Sequence, residues 1–146
     1  MLSTKGWCSV NKSLKTSRAL NESELLSLVV PVFNERSMLP IFFDHVLPVL
    51  ASLDIRSEIV VVDDGSEDGS AKFMKTIIET KSSIRLVKLS RNFGKEAAVT
   101  AGLEHARGDA VIVLDADLQD PPEYIPEMVR SWKSGFDVVL MQRRSR

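Results

Sequence analysis

The sequence predicts an α/β protein: a mainly parallel sheet with helices on both faces. Two observations carry this. From Leu25 onward, short runs of Val, Ile and Leu alternate with longer segments whose apolar residues recur at helical spacing. The runs themselves are continuous rather than alternating in polarity, which suits strands buried on both faces. Strand, helix, strand, repeated four times, is the pattern of a parallel sheet with crossover helices.

Residues 1–24 are rich in Ser, Lys and Asn without periodicity and are expected to form a mobile leader, with the folded domain over 25–146. "LLSLVVPVF" (25–33) predicts the first strand. The stripe Leu39, Phe42, Val46, Leu50 and Leu53 predicts a helix over 38–53, with Pro40 in its first turn and a kink at Pro48. "EIVVVDD" (58–64) is the second strand, and Phe73, Met74, Ile77 and Ile78 mark a helix over 70–80. "IRLVKLS" (84–90) is the third strand. Ala98, Ala101, Leu103 and Ala106 mark a helix over 95–107, with Gly108 as its C-terminal cap. "AVIVLDA" (110–116) is the fourth strand. Ile125, Met128, Val129 and Trp132 mark a helix over 122–134 closed by Gly135, and "FDVVLM" (136–141) is a last strand. In such sheets ligands bind beyond the carboxyl ends of the strands, where strand order reverses. For an order 3-2-1-4 that crevice lies between the first and fourth strands.

Composition bounds the function. The chain has 146 residues, 44% hydrophobic and 27% charged, which fits one globular domain. Twenty acids against 19 bases leave a net charge of -1, so global charge gives no support to nucleic-acid binding. The single cysteine, Cys8, cannot form an internal disulfide, and a reducing compartment is expected. No apolar run approaches the roughly 20 residues of a membrane helix, and the N-terminus lacks a signal peptide's apolar core. As written, the chain is expected to be soluble and cytoplasmic.

Three strand ends deliver acids to one rim: "PVFNE" with Glu35, "VDDGSEDGS" (62–70), and "VIVLDADLQDPP" (111–122). Packing alone does not require this, because carboxylates repel unless a cation or a donor-rich ligand answers them. Asp115 and Asp117 are two apart, so in extended chain both point the same way. Their hard oxygens suit Mg²⁺ or Mn²⁺, and magnesium keeps few protein ligands, completing its shell with water and substrate phosphates. Asp120, with Glu123 three residues on and Pro121-Pro122 between, predicts a helix N-cap with a capping box. Asp115 and Asp117 lie too early to cap that helix.

"DDGSEDGS" begins like a calcium loop at Asp64, Ser66 and Asp68, but Lys75 stands at the twelfth position, and a strand precedes it. Gly65 and Gly69 do not make a dinucleotide fingerprint. A tight turn remains, in which Asp64 reaches a base or ribose and Asp68 or Ser66 caps the next helix. "LSRNFGKEAA" places Arg91 and Lys95 around a glycine at a helix start. This is either a diphosphate site reinforced by the helix terminus or a solvated turn with surface bases. His45 and His105 lie on helices without a partner pattern and are expected to be surface or packing residues.

Together these motifs resemble the family 2 glycosyltransferases. "VVPVFNE", "IVVVDDGSEDGS", "LDADLQDPP" and "GFDVVLMQRRSR" stand in that family's order, and "SRNFGKEAAVTAGLEHARGDA" is similar to its polyprenyl-phosphate branch. Within it the chain resembles the bactoprenol glucosyltransferases, and more distantly the dolichol-phosphate mannose synthases. The resemblance covers 25–146 and implies a Rossmann-like GT-A fold. It implies that Pro31, Phe33 and Glu35 line the nucleotide pocket and that Asp64 contacts uracil or ribose. Asp115 and Asp117 then form a DxD-type catalytic metal site for Mg²⁺ or Mn²⁺ around Ala116, with Asp117 rather than Asp115 the direct ligand, while Arg143 faces the phosphates of donor or acceptor; Lys95 stands as the nucleotide-binding candidate of the helix start described above.

The implied reaction is inverting transfer of a sugar, glucose by resemblance, from UDP-sugar to a polyprenyl phosphate, in O-antigen or cell-envelope glycan modification. The acceptor phosphate has a second pKa of about 6, so it is already an anionic nucleophile and needs no strong base. Members of this branch continue into an acceptor-binding half and C-terminal membrane helices. The chain is therefore expected to be the N-terminal, donor-binding half, with membrane association, at the cytoplasmic face of the inner membrane, a property of the full-length protein. Two alternatives stand beside this. One is a non-catalytic nucleotide-binding fragment. The other is a haloacid-dehalogenase-like phosphohydrolase, which also carries D-x-D, but after its first strand and with Thr or Val where Gln119 stands here.

Overall fold

The computed structural model describes residues 7–10, 13–15 and 23–143, with side chains from Ser23 to Gln142. The chain divides into two compact units, residues 22–123 and residues 1–21 with 124–146. In chain order, strands β1 (Trp7–Val10) and β2 (Ser13–Lys15) come first and belong to the smaller unit. The larger unit follows as β3 (Leu25–Val32), α1 (Leu39–Ala51), β4 (Arg56–Asp63), α2 (Ser70–Thr80), β5 (Ile84–Lys88), α3 (Lys95–His105) and β6 (Ala110–Val113). A 3₁₀ turn (Pro122–Tyr124) leads to α4 (Ile125–Lys133), β7 (Phe136–Val138) and β8 (Met141–Arg143).

The four strands of the larger unit form one parallel sheet in the order β5-β4-β3-β6. This is the 3-2-1-4 order, with its reversal between β3 and β6. β3 pairs with β4 over its whole length, from Leu25↔Arg56 to Val32↔Asp63, whereas β6 accompanies β3 only from Leu26↔Ala110 to Val29↔Val113. Leu28, Val29, Val30, Val60, Val61 and Val62 are all fully buried, so both faces of the central strands are covered. For parallel strands in this order, the right-handed crossover rule puts α1 and α2 on one face and α3 on the other. Val29, Val60, Val62 and Ala98 form the core under α3, with Ala101 and Ala106 packed against it.

That packing corrects two expectations. Leu103, predicted to face the core, is 47% exposed. Gly102 takes the buried position, because a Cβ there would lie 2.3 Å from Val29 Cγ1. Helix α3 also ends at His105 with Ala106 extended, so Gly108 is not its cap. Gly108 is small for a different reason: a Cβ would sit 2.6 Å from the Ser27 backbone nitrogen. The Gly108 N–H donates to Ser27 Oγ, and Ser27 in turn donates to the buried Glu58. Arg107 N–H and Arg85 also donate to Glu58, tying β3, β4, β5 and the turn before β6 at the amino ends of the strands. Burial alone would raise the Glu58 pKa; the Ser27, Arg107 and Arg85 bonds outweigh it and hold the carboxyl below its ordinary value.

The predicted last strand, 136–141, is split into β7 and β8. Neither joins the parallel sheet: β7 pairs antiparallel with β2, and β8 with β1. Two stretches of the expected mobile leader, 7–10 and 13–15, are thus strands, while its residues 1–6, 11–12 and 16–22 lie outside the described residues. Helix α4 buries Ile125, Val129 and Trp132 as one stripe and is closed by Gly135 at φ 104°, as expected. It starts at Ile125 with no side-chain capping bond, so Asp120 and Glu123 do not form the predicted capping box. The Pro122–Tyr124 turn occupies the place of that first helical turn. Helix α1 runs through Pro48 without interruption. His45 and His105 are exposed and each bonds a carbonyl of its own helix.

Candidate functional site

Beyond the carboxyl ends of β3, β4 and β6 lies a cleft of about 340 Å³. From β3 and its continuation it takes Pro31, Phe33 and Glu35; from the end of β4, Asp64; from the start of α3, Gly94 and Lys95. Asp115, Ala116 and Asp117 come from the segment after β6. Eight residues picked out from the sequence are therefore brought together in the larger unit. Arg143 lies in β8 of the smaller unit, and its side chain is outside the described residues.

Local hydrogen bonds explain each wall. The "FNER" turn is fastened by Ser66, Asp68 and Ser70 of "DDGSEDGS": Asn34 N–H donates to Ser66 Oγ, Glu35 N–H to Ser70 Oγ and Arg36 N–H to Asp68 Oδ2. Asn34 sits at φ 53°, a left-handed conformation that Asn tolerates, and its side-chain oxygen accepts from Glu67 N–H at 2.9 Å. Asp68 Oδ1 also accepts from Ser70 N–H at the start of α2. Ser66 and Asp68 are thus structural staples. Burial would raise Asp68, but the Ser70 and Arg36 bonds hold it below its ordinary value.

Asp64 builds the second wall. It is 3% exposed, and its two oxygens accept from Phe93 N–H at 2.8 Å and Gly94 N–H at 3.0 Å. Gly65, at φ 74°, lets the same loop approach: a Cβ would lie 2.5 Å from the Arg91 and Asn92 backbones. The loop held this way delivers Lys95 to the cleft, where its Nζ bonds Asp115 Oδ2 at 2.5 Å. Arg91 is not at the cleft; its guanidinium stacks over Phe93.

The third wall departs from the extended geometry expected of D-x-D. β6 ends at Val113, Leu114 and Ala116 are buried beyond the ladder, and Ala116 and Asp117 form a turn. Leu118 adopts φ 60°, an uncommon conformation for a bulky residue, and Asp117 Oδ1 accepts from Gln119 N–H. Both carboxylates nonetheless line the cleft. Burial first, then the charges of Asp117, Asp68 and Asp115, push the Glu35 carboxyl above its ordinary range. The three strand ends do converge on one acidic rim.

Two hard carboxylates two residues apart fit a magnesium or manganese ion. Among the described residues no group of three His, Cys, Asp or Glu could enclose a metal by itself. An ion here would have to complete its shell from water and ligand oxygens, as magnesium commonly does. Asp63 escaped the sequence reading. It is fully buried, and neither carboxyl oxygen has a hydrogen-bond partner among the described residues. Nothing in "VVVDDGS" distinguishes it from Asp64; only the strand parity, which sends neighbours to opposite faces, separates them.

The fold and cleft define an α/β domain with an acidic cleft at the strand-order reversal of a parallel sheet. Residues 27–146 match the model of Glycosyl transferase family 2, and the chain belongs to that family. It is 49% identical over 121 residues to an uncharacterised glycosyltransferase of Synechocystis, covering 83% of this chain and 38% of that protein. The prophage bactoprenol glucosyl transferase homolog of Escherichia coli K12 is 43% identical, over 83% of this chain and 40% of its own. The undecaprenyl-phosphate 4-deoxy-4-formamido-L-arabinose transferase of Aeromonas hydrophila is 44% identical, over 84% and 38%. The chain thus spans well under half the length of these relatives.

Among solved structures, the mannosyltransferase of Pyrobaculum calidifontis in complex with GDP-Man and Mn²⁺ superposes with a TM-score of 0.63 at 27% identity, over 75% of this chain and 32% of its own. Glucosyl-3-phosphoglycerate synthase of Mycobacterium tuberculosis in complex with UDP gives 0.56 at 25% identity, over 73% and 39%. The fold is the GT-A glycosyltransferase fold.

Proposed function

We propose that this chain is the donor-binding part of a glycosyltransferase that moves a sugar from a UDP-sugar to a polyprenyl phosphate, with inversion. The observation that carries this is the cleft, where Asp64, Asp115 and Asp117 from two strand ends meet Lys95 from the start of α3. Relatives named for bactoprenol and undecaprenyl phosphate support the lipid acceptor, and the relative named as a bactoprenol glucosyl transferase homolog supports glucose; a role in envelope glycan modification is assigned on the resemblance alone. The UDP complex of the mycobacterial synthase supports the uridine nucleotide.

In this assignment Pro31, Phe33 and Glu35 flank the nucleotide, and Asp64, whose oxygens keep spare lone pairs, accepts from uracil or ribose. Asp115 and Asp117, on either side of Ala116, hold the divalent cation, and Lys95 faces the diphosphate; Arg143 is assigned to a phosphate of donor or acceptor. When bound, the cation supplies charge stabilisation to the departing diphosphate, of several kcal/mol in rate. The chain's own work is alignment, since the acceptor phosphate arrives as an anion without a base to activate it.

Calorimetric titration with UDP, with Mn²⁺ or with EDTA, tests this. Binding should be appreciably tighter with metal. Asp117→Asn should remove that gain, while Asp120→Asn should keep it. Equal affinity in Mn²⁺ and EDTA would overturn the metal assignment.

A further inference from the structure

We propose that Lys95 is a built-in counter-ion for Asp115, holding the carboxylate until a divalent cation displaces it and thereby making cation binding depend on the nucleotide. This rests on the metal site assigned above. Among the described residues that line the cleft, Lys95 is the only Lys or Arg, against four carboxylates, those of Glu35, Asp64, Asp115 and Asp117. Its ammonium spends its reach on one of them, Asp115 Oδ2, across the cleft from the start of α3. Asp64 fixes that starting point through Phe93 N–H and Gly94 N–H, so the lysine is positioned by the fold and not merely nearby.

The geometry has a consequence for binding order. An ammonium and a divalent cation repel each other at Asp115, so the cation entering alone must break the ion pair and leave Lys95 beside a like charge, at a cost that solvent screening keeps modest. A diphosphate arriving with the cation changes this. It offers Lys95 a new anionic partner, and the lysine releases Asp115 at no loss. Nucleotide and metal therefore bind synergistically, and Lys95 is the residue that couples them. It is a positioning residue for the site, acting through Asp115.

The test is Mn²⁺ binding followed by electron paramagnetic resonance on the full 146-residue chain, with and without UDP. It uses wild type, Lys95→Gln, Lys95→Arg and Asp117→Asn. The Lys95 side chain is 62% exposed, so its ion pair is screened, and the folded state should tolerate Lys95→Gln; a melting curve checks this. Without UDP, Lys95→Gln should bind Mn²⁺ about two- to fivefold tighter than wild type, the range an exposed ion pair supports. With UDP that advantage should vanish or reverse, so the enhancement of Mn²⁺ affinity by UDP is smaller than in wild type. Lys95→Arg should behave like wild type, because it keeps the charge. Unchanged or weaker Mn²⁺ binding by Lys95→Gln without UDP, while Asp117→Asn abolishes binding, would overturn the coupling role and leave the metal site standing. Wild-type Mn²⁺ binding by Asp117→Asn would instead remove the site, and the coupling role with it.

Discussion

Asp63 and Asp64 follow one another in sequence, yet their surroundings are opposite. Asp64 accepts two backbone N–H bonds and lines the cleft; Asp63 is fully buried, and neither of its oxygens has a hydrogen-bond partner among the described residues. Burying a carboxylate without partners is costly, whereas removing an acceptor from two part-buried backbone donors leaves those donors unpaired. Asp63→Asn is therefore expected to melt no lower than wild type. Asp64→Asn, which turns an NH₂ toward Phe93 or Gly94 N–H, is expected to lose about 1–3 kcal/mol in chemical denaturation. The reverse ranking would show that Asp63 is the structural acid. Glu35 adds a pH signature. Its raised pKa means that stability is greatest while it is protonated and declines as pH rises through the folded value, above the ordinary 4.5. Glu35→Gln should melt slightly higher than wild type near neutrality, by about a few tenths of a kcal/mol given the solvent screening there. Below the ordinary value both side chains are neutral, and the difference should disappear in a pH series of melting curves.

At the scale of elements, α3 is the helix whose placement matters most. It carries Lys95 at its first turn and lies close enough to the sheet that Gly102 contacts Val29 and Val62. Gly102→Ala adds a methyl 2.3 Å from Val29 Cγ1 and 3.1 Å from Val62 Cγ2. Overpacking of this kind costs about 1–3 kcal/mol, and the gain of about 1 kcal/mol in helix propensity from replacing glycine offsets only part of it. The variant should be less stable than wild type in urea titration. Leu103→Ala, on the exposed side of the same helix, should change stability little. Gly102→Ala as stable as wild type would mean that α3 can move off the sheet.

For the whole molecule, the share of its relatives that it spans sets the expectation. The chain covers 38–40% of their length, and the described residues that line its cleft lie within 31–117. Transfer requires both reactants held in line, and the effective molarity that this supplies is lost when one is not held. The isolated chain is therefore expected to bind UDP-sugar and to transfer sugar to polyprenyl phosphate negligibly. A radiolabelled UDP-glucose assay with detergent-solubilised lipid, run beside a full-length relative, measures this. Robust metal-dependent turnover by this chain alone would refute it and place acceptor binding within these residues. β6 is an edge strand whose outer side pairs with no strand among the described residues, and Val111 and Val113 are 38% and 43% exposed. Among the described residues no helix is long and apolar enough to cross a membrane.

The amino-acid sequence by itself determined the parallel sheet and the family, because buried strands and crossover helices write their periodicity locally and the strand-end motifs stand in fixed order; the 3-2-1-4 order entered only as a condition, and the structure supplied it. It also marked the acids that meet in the cleft, since acids following oily strands have no packing reason to be there. What only the tertiary structure decided were contacts between residues distant in the chain. The pairing of Lys95 with Asp115 spans 20 positions and that of Asp64 with the Phe93 amide spans 29, so no local pattern encodes either. The same holds for the glycines: Gly102 and Gly108 are small because Val29 and Ser27 press against them, not because their own backbone requires it. Asp120 misled for the complementary reason. Its capping signature was locally sound, but the chain formed a 3₁₀ turn at Pro122–Tyr124 and began α4 at Ile125. Local propensity selects among turns that tertiary packing then accepts or replaces.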